Sequence, residues 1–384
     1  MRDQRSRFHN VFTANRKAII FTAVFISLIF IGGLATNTQA QQVLETLPVI
    51  EVVQPSTTKT YDFAWSHDGS KGALTVDKNV IIYDSNIQEL GQLEGHTDLV
   101  TDVDWSPQDD EVVTASLDKT IRIWNVQTAG NFGDTKTILS EHSDWVFNID
   151  YNFDGSKLAS SALDITLAPT NDGNFYNTTW IWDVASQEPE IVLPSYAGFA
   201  KLDWSPNGNL LANNGFAIEQ GDAFRIWDID QGGEKVFSAS LNGDRPIYDL
   251  DFSPDGQYLA IGSGLTEVLI FSLAAQDLKS SLGGDMAAIT AVSWCSDGSK
   301  LAAADSYGSL SIWDVATARK LVYIEKAHTG WIGRVEWASS GTKLATLGSE
   351  DNTLRVWDVS ALPEVVGVPT ATPAFATDTP TISP

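Results

Sequence analysis

The stretch Phe252-Ser-Pro-Asp-Gly256 decides the fold of this chain, because imperfect copies of it recur throughout the sequence. Each copy opens on an aromatic residue and most copies close on glycine. The opening residues, called lead aromatics below, are Trp65, Trp105, Tyr151, Trp204, Phe252, Trp294 and Trp337. Consecutive lead aromatics lie 40 to 53 residues apart. A repeat of about this length is typical of propellers, in which every repeat builds one blade.

Each lead aromatic ends a short run in which two kinds of residue alternate. Thr101 and Val103 precede Trp105 on one side of such a run, and Asp102 and Asp104 occupy the other side. Alternation with a period of two predicts a β-strand with one face toward a core. A turn, a second strand and a third strand that usually ends in Trp-Asp follow. The sequence therefore predicts an all-β, seven-bladed β-propeller of four-stranded antiparallel blades.

The ring of blades needs a closing strand, and residues 47–53 have the right position for it. Val53 precedes Trp65 by the interval that separates an outermost strand from the next lead aromatic elsewhere in the chain. Because no blade precedes this segment, we expect this N-terminal strand to complete the last blade and close the ring. Closure removes two unpaired sheet edges. The alternative for the same position is the segment 364–368, which follows the last Trp-Asp pair.

The repeats resemble those of the WD-repeat family over most of the chain. The resemblance rests on the Trp-Asp pairs, on the Ser-Pro-Asp-Gly turn and on the pair Gly95-His96 at its usual spacing. It implies a seven-bladed propeller and a buried set of hydrogen-bonded His, hydroxyl, Asp and Trp side chains. The matching residues are His96, Thr114 (or Ser116), Asp118 and Trp124 in the second repeat, and His328, Ser349, Asp351 and Trp357 in the seventh. The third repeat has His142 and Trp182 but no Asp at the same distance before the Trp, so its set is predicted to be incomplete.

The two ends of the chain lie outside the repeats. In residues 1–40, basic residues precede an apolar run of eighteen residues, which predicts a secretory signal peptide or a single N-terminal membrane anchor. Either version predicts an extracytoplasmic location, whether secreted, periplasmic or at the cell surface. The expected organisation is a linker at 41–46, the propeller at 47–361 and a tail rich in Thr and Pro at 362–384.

The charge and cysteine content restrict the possible partners. The formal net charge is −25, which repels phosphate backbones, so no nucleic-acid partner is expected. A surface of this sign favours basic partners or loosely held cations. Much of the charge is expected on outward-facing strand positions and in turns. The single cysteine, Cys295, allows no internal disulfide bond.

The sequence offers no catalytic or metal-binding constellation. His96, His142 and His328 occupy one equivalent place in three repeats, which indicates a scaffold position and spreads them around a ring. Motifs such as His-Glu-x-x-His are missing from the sequence. We therefore expect a non-enzyme without metal or cofactor. The alternatives are a propeller hydrolase or lyase with carboxylates at the channel mouth, or a receptor for a small ligand or cation that uses the long loops 163–179 and 213–223.

The remaining aromatic residues indicate a binding surface. Trp145 and Trp331 each follow a repeat histidine by three residues, at the start of a blade. In the resembled family this place opens onto the top rim near the central channel. Tyr196, Phe199 and Arg245 occupy comparable places. Together these five residues form the predicted surface for a protein or peptide partner of a monomeric propeller. The alternative is that the aromatic side chains plug the channel or pack under a loop.

Overall fold

The computed structural model describes residues 43–54, 59–127, 132–164, 177–195, 200–214, 223–239, 245–284 and 286–362. Contacts divide the chain into units 1–41 and 42–384, and every described residue belongs to the second unit. The described ranges contain β-strands and turns but no helix, so none of them holds a helix that could cross a membrane. The predicted signal or anchor segment, residues 1–40, lies outside the described residues.

Seven sheets form the blades, and each contains four antiparallel strands. Blade one comprises β2 (Phe63–Trp65), β3 (Lys71–Val76), β4 (Asn79–Asp84) and β5 (Glu89–Glu94). Blade two comprises β6 (Val100–Trp105), β7 (Glu111–Ser116), β8 (Ile121–Asn125) and β9 (Thr135–Leu139). Blade three comprises β10 (Val146–Tyr151), β11 (Lys157–Ala162), β12 (Asn177–Asp183) and β13 (Glu188–Ser195). Blade four comprises β14 (Leu202–Trp204), β15 (Leu210–Asn214), β16 (Phe224–Asp228) and β17 (Glu234–Ala239).

The remaining blades follow the same order. Blade five comprises β18 (Ile247–Phe252), β19 (Tyr258–Ser263), β20 (Glu267–Ser272) and β21 (Asp277–Gly283). Blade six comprises β22 (Ile289–Trp294), β23 (Lys300–Asp305), β24 (Leu310–Asp314) and β25 (Arg319–Ile324). Blade seven comprises β26 (Ile332–Trp337), β27 (Lys343–Gly348), β28 (Leu354–Asp358) and β1 (Val49–Val53). The first strand of every blade contacts the first strand of the next, and β26 contacts β2, so the seven blades form a closed ring.

The N-terminal strand closes the ring, as predicted. β1 pairs antiparallel with β28, with Val49 opposite Trp357 and Val53 opposite Leu354. Just before β1, the Pro48 carbonyl accepts a hydrogen bond from the Asp358 N–H at 2.8 Å. The last blade is therefore built from both ends of the propeller sequence.

The fold-deciding stretch forms a tight turn after the first strand of a blade. In blade five the Asp255 carboxylate accepts hydrogen bonds from the Ser253 hydroxyl at 2.6 Å and the Gln257 N–H at 3.0 Å. Gly256 has φ 66°, a left-handed conformation that glycine adopts without strain. The recurrence of Asp and Gly in the repeats follows from these backbone requirements.

The core lies between the blades. One cluster joins Val113 and Ile121 of blade two to Ile149 and Leu158 of blade three, and six similar clusters are described around the ring. Each buried side chain of this size contributes about 1.5–3 kcal/mol relative to exposure to water. A single blade cannot bury both of its faces, so the stability of each blade depends on its two neighbours.

Candidate functional site

The top rim is the side of the ring that carries the loops between the second and third strands of a blade and the loops between successive blades. Trp331 lies on this rim just before β26, and its side chain is 44% exposed. Trp145 lies just before β10 and is partly buried against Phe147, with ring centroids 6.4 Å apart in an edge-on arrangement. Arg245 donates a hydrogen bond from Nη1 to the Gly264 carbonyl at 2.8 Å. The predicted Tyr196 and Phe199 lie outside the described residues.

The most exposed aromatic residue of this rim is one that the sequence did not indicate. Tyr307, in the turn between β23 and β24, is 77% exposed, the highest value among the large apolar side chains of the described ranges. Its neighbour Gly308 accepts a hydrogen bond through its carbonyl from the His328 N–H at 3.1 Å. A Cβ on Gly308 would lie 2.4 Å from the Gly330 carbonyl oxygen. The two loops therefore touch, and they hold Tyr307 and Trp331 on the same part of the rim.

A surface groove adjoins Tyr307. It has a volume of about 490 Å³, and the residues that line it are Met286, Ala287, Asp305, Tyr307, Ser309, Tyr323, Glu325 and Lys326. We call it the blade-six groove. Its thioether and two phenol rings offer apolar contact, and charged groups of both signs lie at its border. Binding pockets commonly combine an apolar lining with a few polar groups in this way.

Aromatic residues also recur four positions before the lead aromatic. Tyr61, Phe147 and Tyr248 occupy this position in blades one, three and five. Tyr61 and Tyr248 are exposed, and Phe147 is partly buried. The signal that could have identified them is their common distance from the lead aromatic, which places them at the start of an innermost strand.

The structure brings together the four polar side chains expected in blade two. His96 is hydrogen-bonded through Nε2 to Thr114 Oγ1 at 2.7 Å and through Nδ1 to Asp118 Oδ2 at 2.9 Å. Trp124 donates from Nε1 to the same Thr114 hydroxyl at 2.8 Å. Ser116, the alternative hydroxyl, donates to the Asp98 carbonyl instead.

In blade seven the hydroxyl of the set belongs to Thr346, so the prediction of Ser349 is wrong. His328 Nε2 lies 2.7 Å from Thr346 Oγ1, and Trp357 Nε1 donates to that oxygen at 2.8 Å. Thr346 lies inside β27, where its side chain faces His328, whereas Ser349 follows the end of that strand. The Asp351 carboxylate is 3.2 Å from His328 Nδ1, as the spacing had suggested.

Blade three contains a full set, contrary to the sequence prediction. His142 Nδ1 lies 2.6 Å from Asp164 Oδ2, and its Nε2 lies 2.8 Å from Ser160 Oγ. Trp182 Nε1 donates to Ser160 at 2.8 Å. The Asp was missed because its distance from the Trp includes the long loop of this blade. Counted from the hydroxyl, Asp164 and Asp118 each follow by four residues, and this is the signal that identifies it.

These sets hold the Asp carboxylates ionised. Burial opposes ionisation of Asp164, but its hydrogen bonds with His142, Thr178 and Ser143 outweigh burial and lower its pKa to about 2. The same balance places the pKa values of Asp118 and Asp351 well below their usual range. Burial lowers the pKa of the His96 and His328 side chains. Through its two hydrogen bonds, each of the three histidines connects a strand hydroxyl to an Asp after that strand, and each does so within its own blade.

The innermost strands carry a second group of carboxylates, which line a central channel with a cavity of about 330 Å³. These carboxylates occupy the polar positions in the runs of alternating residues that precede the lead aromatics. Their side chains line the channel and not the outer surface. The members of this group are Asp102, Asp104, Asp150, Asp203, Asp249, Asp251 and Glu336, and the basic side chains that line the cavity with them are His67, Lys201 and Arg334. Arg334 Nε lies 3.2 Å from a carboxylate oxygen of Asp62.

Burial raises the pKa of most of these channel carboxyl groups. The pKa of Asp251 rises to about 8 and that of Glu336 to about 7, in each case mainly through burial. For Asp102, Asp150 and Asp203, burial together with neighbouring carboxylates places the pKa well above the usual range. In the described ranges no three His, Cys, Asp or Glu side chains form a group that could hold a metal ion. Most of the loops 163–179 and 213–223 lies outside those ranges.

Comparison with known proteins identifies the repeats. The family described as "WD domain, G-beta repeat" matches residues 87–125, 133–167, 233–269, 276–314 and 319–358. Among similar curated proteins, a ribosome biogenesis protein WDR12 homolog of Drosophila pseudoobscura pseudoobscura is 20% identical, over 73% of this chain and 68% of its own length. A guanine nucleotide-binding protein subunit beta of Oryza sativa subsp. indica is 24% identical, over 71% of this chain and 84% of its own. The pre-mRNA-processing factor 19 homolog 2 of Arabidopsis thaliana is 28% identical, over 52% and 42% respectively.

These relatives contradict the predicted extracytoplasmic location. Their names refer to ribosome biogenesis, pre-mRNA processing and guanine nucleotide-binding proteins, which point to a location other than an extracytoplasmic one. The prediction rested on an apolar run and its basic flank in residues 1–40. Such a composition is shared by targeting segments, but it does not establish that a segment is used for export.

Proposed function

The chain belongs to the WD-repeat family of β-propellers, and from this we propose that it is a monomeric, non-catalytic scaffold that binds a protein or peptide on its top rim. Its relatives in the family support a protein-interaction scaffold in general. The top rim, the residues that bind and the absence of catalysis are the specific parts of the proposal.

The observation that carries the proposal is the pairing of Tyr307 and Trp331 on touching loops. Both side chains expose a large part of their surface to water although neither loop is long. An aromatic side chain loses favourable burial when it stays exposed on a rigid scaffold. Tyr and Trp are enriched among the residues that carry most of the binding energy at interfaces. The blade-six groove beside Tyr307 gives a partner side chain a place to enter.

The charge of the chain indicates the kind of partner. With a formal net charge of −25, the protein attracts basic surfaces over distances of about 10 Å at ordinary salt concentrations. Such attraction accelerates encounter more than it strengthens the final complex. We therefore expect a basic partner whose association rate falls as salt increases.

The test compares two matched sets of exposed aromatic residues. The double variant Tyr307→Ser with Trp331→Ser removes the rim aromatics. Phe153→Ser is the control, because Phe153 is also a 53% exposed aromatic but lies in the turn after a lead aromatic, on the opposite rim. The full chain and both variants would be used to isolate partners from the source cells. The purified partner's affinity for each protein would then be measured by calorimetry.

We expect the double variant to weaken binding at least about tenfold, since loss of an interface anchor costs about 2 kcal/mol or more. Phe153→Ser should bind like the unchanged protein. The proposal fails if the partner binds the double variant normally, or if Phe153→Ser is the variant that loses it.

A further inference from the structure

The blade-six groove lies at the place that the hydrogen-bonded set fills in blade two. Counted from the lead aromatic of each blade, Tyr307 stands at the place of Asp118 and Ser309 at the place of Thr120. Blade six has no histidine, so it cannot form the set. Asp118 is bonded to His96, whereas Tyr307 is 77% exposed and lines the groove. The groove therefore follows from the replacement of the set in this blade.

The hydroxyl of Ser309 is available to a ligand in this groove. In blade two the corresponding Thr120 hydroxyl donates to the Asp118 carboxylate at 2.6 Å. Ser309 is only 4% exposed and lines the groove. Because Tyr307 stands where the Asp would be, the Ser309 hydroxyl has no hydrogen-bond partner within the described ranges. A hydroxyl oxygen can accept a hydrogen bond, so a ligand with N–H donors matches it.

The charge in the groove favours a cation. Asp305 lines it and is 1% exposed, and its carboxylate accepts three backbone N–H groups. Glu325 also lines the groove and is exposed. Neither carboxylate forms an ion pair with another residue that the structure describes. Lys326 is the one basic side chain in the lining, so two acidic groups face one basic group.

The aromatic lining distinguishes between kinds of cation. A guanidinium group is planar, stacks on aromatic rings and carries several N–H donors in a fixed geometry, whereas an ammonium group is compact and strongly hydrated. The exposed Tyr307 ring gives a guanidinium a surface on which to stack, and Met286 can pack against its aliphatic stem. The groove already contains one contact of this kind, since the Lys320 ammonium lies 4.8 Å from the centre of the Tyr323 ring.

We propose that the blade-six groove is a binding site for an arginine side chain, which the partner presents to the rim; this rests on the proposed function. The guanidinium stacks on Tyr307 and donates to the Ser309 hydroxyl and to the Glu325 carboxylate. The buried charge of Asp305 adds to the attraction. The site explains how a partner of basic charge is held at one place on a chain whose formal net charge is −25.

The groove contains its own spectroscopic reporter. The chain has two methionines, Met1 and Met286, and Met286 lines the groove. In the full chain with isotope-labelled methionine methyl groups, the Met286 signal would be followed during titration with N-acetyl-arginine amide. N-acetyl-citrulline amide has nearly the same shape without the charge, and N-acetyl-lysine amide has the charge without the planar fork. These two compounds are the matched ligand controls.

Three variants complete the titration. Glu325→Gln and Ser309→Ala each remove one of the proposed acceptors, and both leave the Tyr307 ring in place. Glu350→Gln is the control, because Glu350 is an exposed carboxylate in the corresponding turn of blade seven and does not line the groove. The methyl spectrum of each variant without ligand also shows whether the surroundings of Met286 are unchanged.

We expect the arginine compound to shift the Met286 signal to saturation. The dissociation constant should be at least about tenfold larger for the citrulline compound, because the hydrogen bonds are no longer charge-assisted. Each groove variant should weaken arginine binding by about threefold or more, as expected for an exposed charged or polar contact, and Glu350→Gln should not change it. The proposal is overturned if citrulline or lysine binds as well as arginine, if Met286 does not respond, or if both groove variants bind arginine normally.

The partner isolated with the full chain separates this inference from the proposed function. If the Tyr307 and Trp331 double variant loses the partner while Glu325→Gln and Ser309→Ala bind it normally, the proposed function stands and the arginine site is overturned. If the arginine compound saturates the groove as expected but the partner binds the double variant normally, the arginine site stands and the proposed function fails.

Discussion

The carboxylate of Asp104 in blade two accepts a hydrogen bond from the backbone N–H of Tyr151, the lead aromatic of blade three, at 2.8 Å. The same contact, between the acidic residue before one lead aromatic and the N–H of the next lead aromatic, recurs at four further junctions around the channel. It joins Asp150 to Trp204 at 2.8 Å, Asp203 to Phe252 at 2.5 Å, Asp251 to Trp294 at 2.5 Å and Glu336 to Trp65 at 2.9 Å. The acidic positions of the strand alternation therefore hold neighbouring blades together.

The first prediction concerns Asp104 itself. Its second oxygen also accepts the Trp105 N–H at 2.8 Å, so Asp104→Ala leaves two backbone donors without their partner. We expect this change to lower the free energy of unfolding by about 1–3 kcal/mol. Asp104→Asn keeps an acceptor oxygen and should cost less than about half as much. Urea unfolding of both variants measures the difference, and equal losses would show that the hydrogen bond to the next blade does not matter.

The second prediction is a fall in stability as the pH rises. Burial raises the pKa of Asp251 to about 8 and of Glu336 to about 7, whereas free carboxyl groups titrate near about 4. Between these values the folded chain holds protons that the unfolded chain has released. The free energy of unfolding from these groups is therefore fully present below about pH 4 and decreases up to about pH 8.

Urea unfolding at several pH values between 5 and 8 would measure this slope, and the double variant Asp251→Asn with Glu336→Gln should flatten it. The slope also includes the other titratable and charged groups around the channel, which are Asp62, His67, Asp102, Asp104, Asp150, Asp203, Asp249, Lys201 and Arg334. A slope that is unchanged in the double variant would contradict the assignment to Asp251 and Glu336.

The fold could be predicted because its determinants are local. The lead aromatic, the Asp-Gly turn and the Trp-Asp pair each fix a strand or a turn within a few residues, so their repetition sets the number and order of blades. The closing strand could be predicted as well, from the number of residues that separates Val53 from Trp65 along the chain.

The site was less predictable because it depends on contacts between loops. Nothing near Tyr307 in the sequence shows that its loop touches the loop before Trp331, which is what places the two residues together. Thr346 and Ser349 are both hydroxyl residues near the end of β27, but only Thr346 lies inside the strand. It follows its histidine by 18 residues, as Thr114 and Ser160 follow theirs, and this interval was overlooked. Asp164 was missed because a loop of variable length separates it from Trp182.

The third prediction tests the set in blade three. Asp164 accepts hydrogen bonds from the Ser143 N–H at 2.7 Å and the Thr178 hydroxyl at 2.7 Å, in addition to its contact with His142. Asp164→Ala should therefore lower the free energy of unfolding by about 2–4 kcal/mol, because several buried polar groups lose their partner. Asp118→Ala in blade two is the matched comparison and should cost a similar amount. A loss below about 0.5 kcal/mol for Asp164→Ala alone would mean that blade three does not depend on the set.

The last prediction is a repair of blade six. Within the described part of the chain, Trp313 Nε1 and Ser311 Oγ are buried without a hydrogen-bond partner. Ala303 pairs with Ser311 across the strands, as Thr114 pairs with Arg122 in blade two. Position 303 is therefore where the hydroxyl that accepts from the Trp would lie. Ala303→Ser should supply that acceptor and raise the free energy of unfolding by about 1 kcal/mol.

The neighbouring Ala302 provides the control for this repair. Ala302 is equally buried and adjacent in β23, but its side chain points to the opposite face of the sheet, away from Trp313. Ala302→Ser buries a hydroxyl without giving the indole a partner, and it should lower stability by about 1–3 kcal/mol. Thermal unfolding of the two variants checks whether Ala303→Ser raises stability and Ala302→Ser lowers it. If both substitutions destabilise equally, the orphaned indole nitrogen is not what limits the stability of blade six.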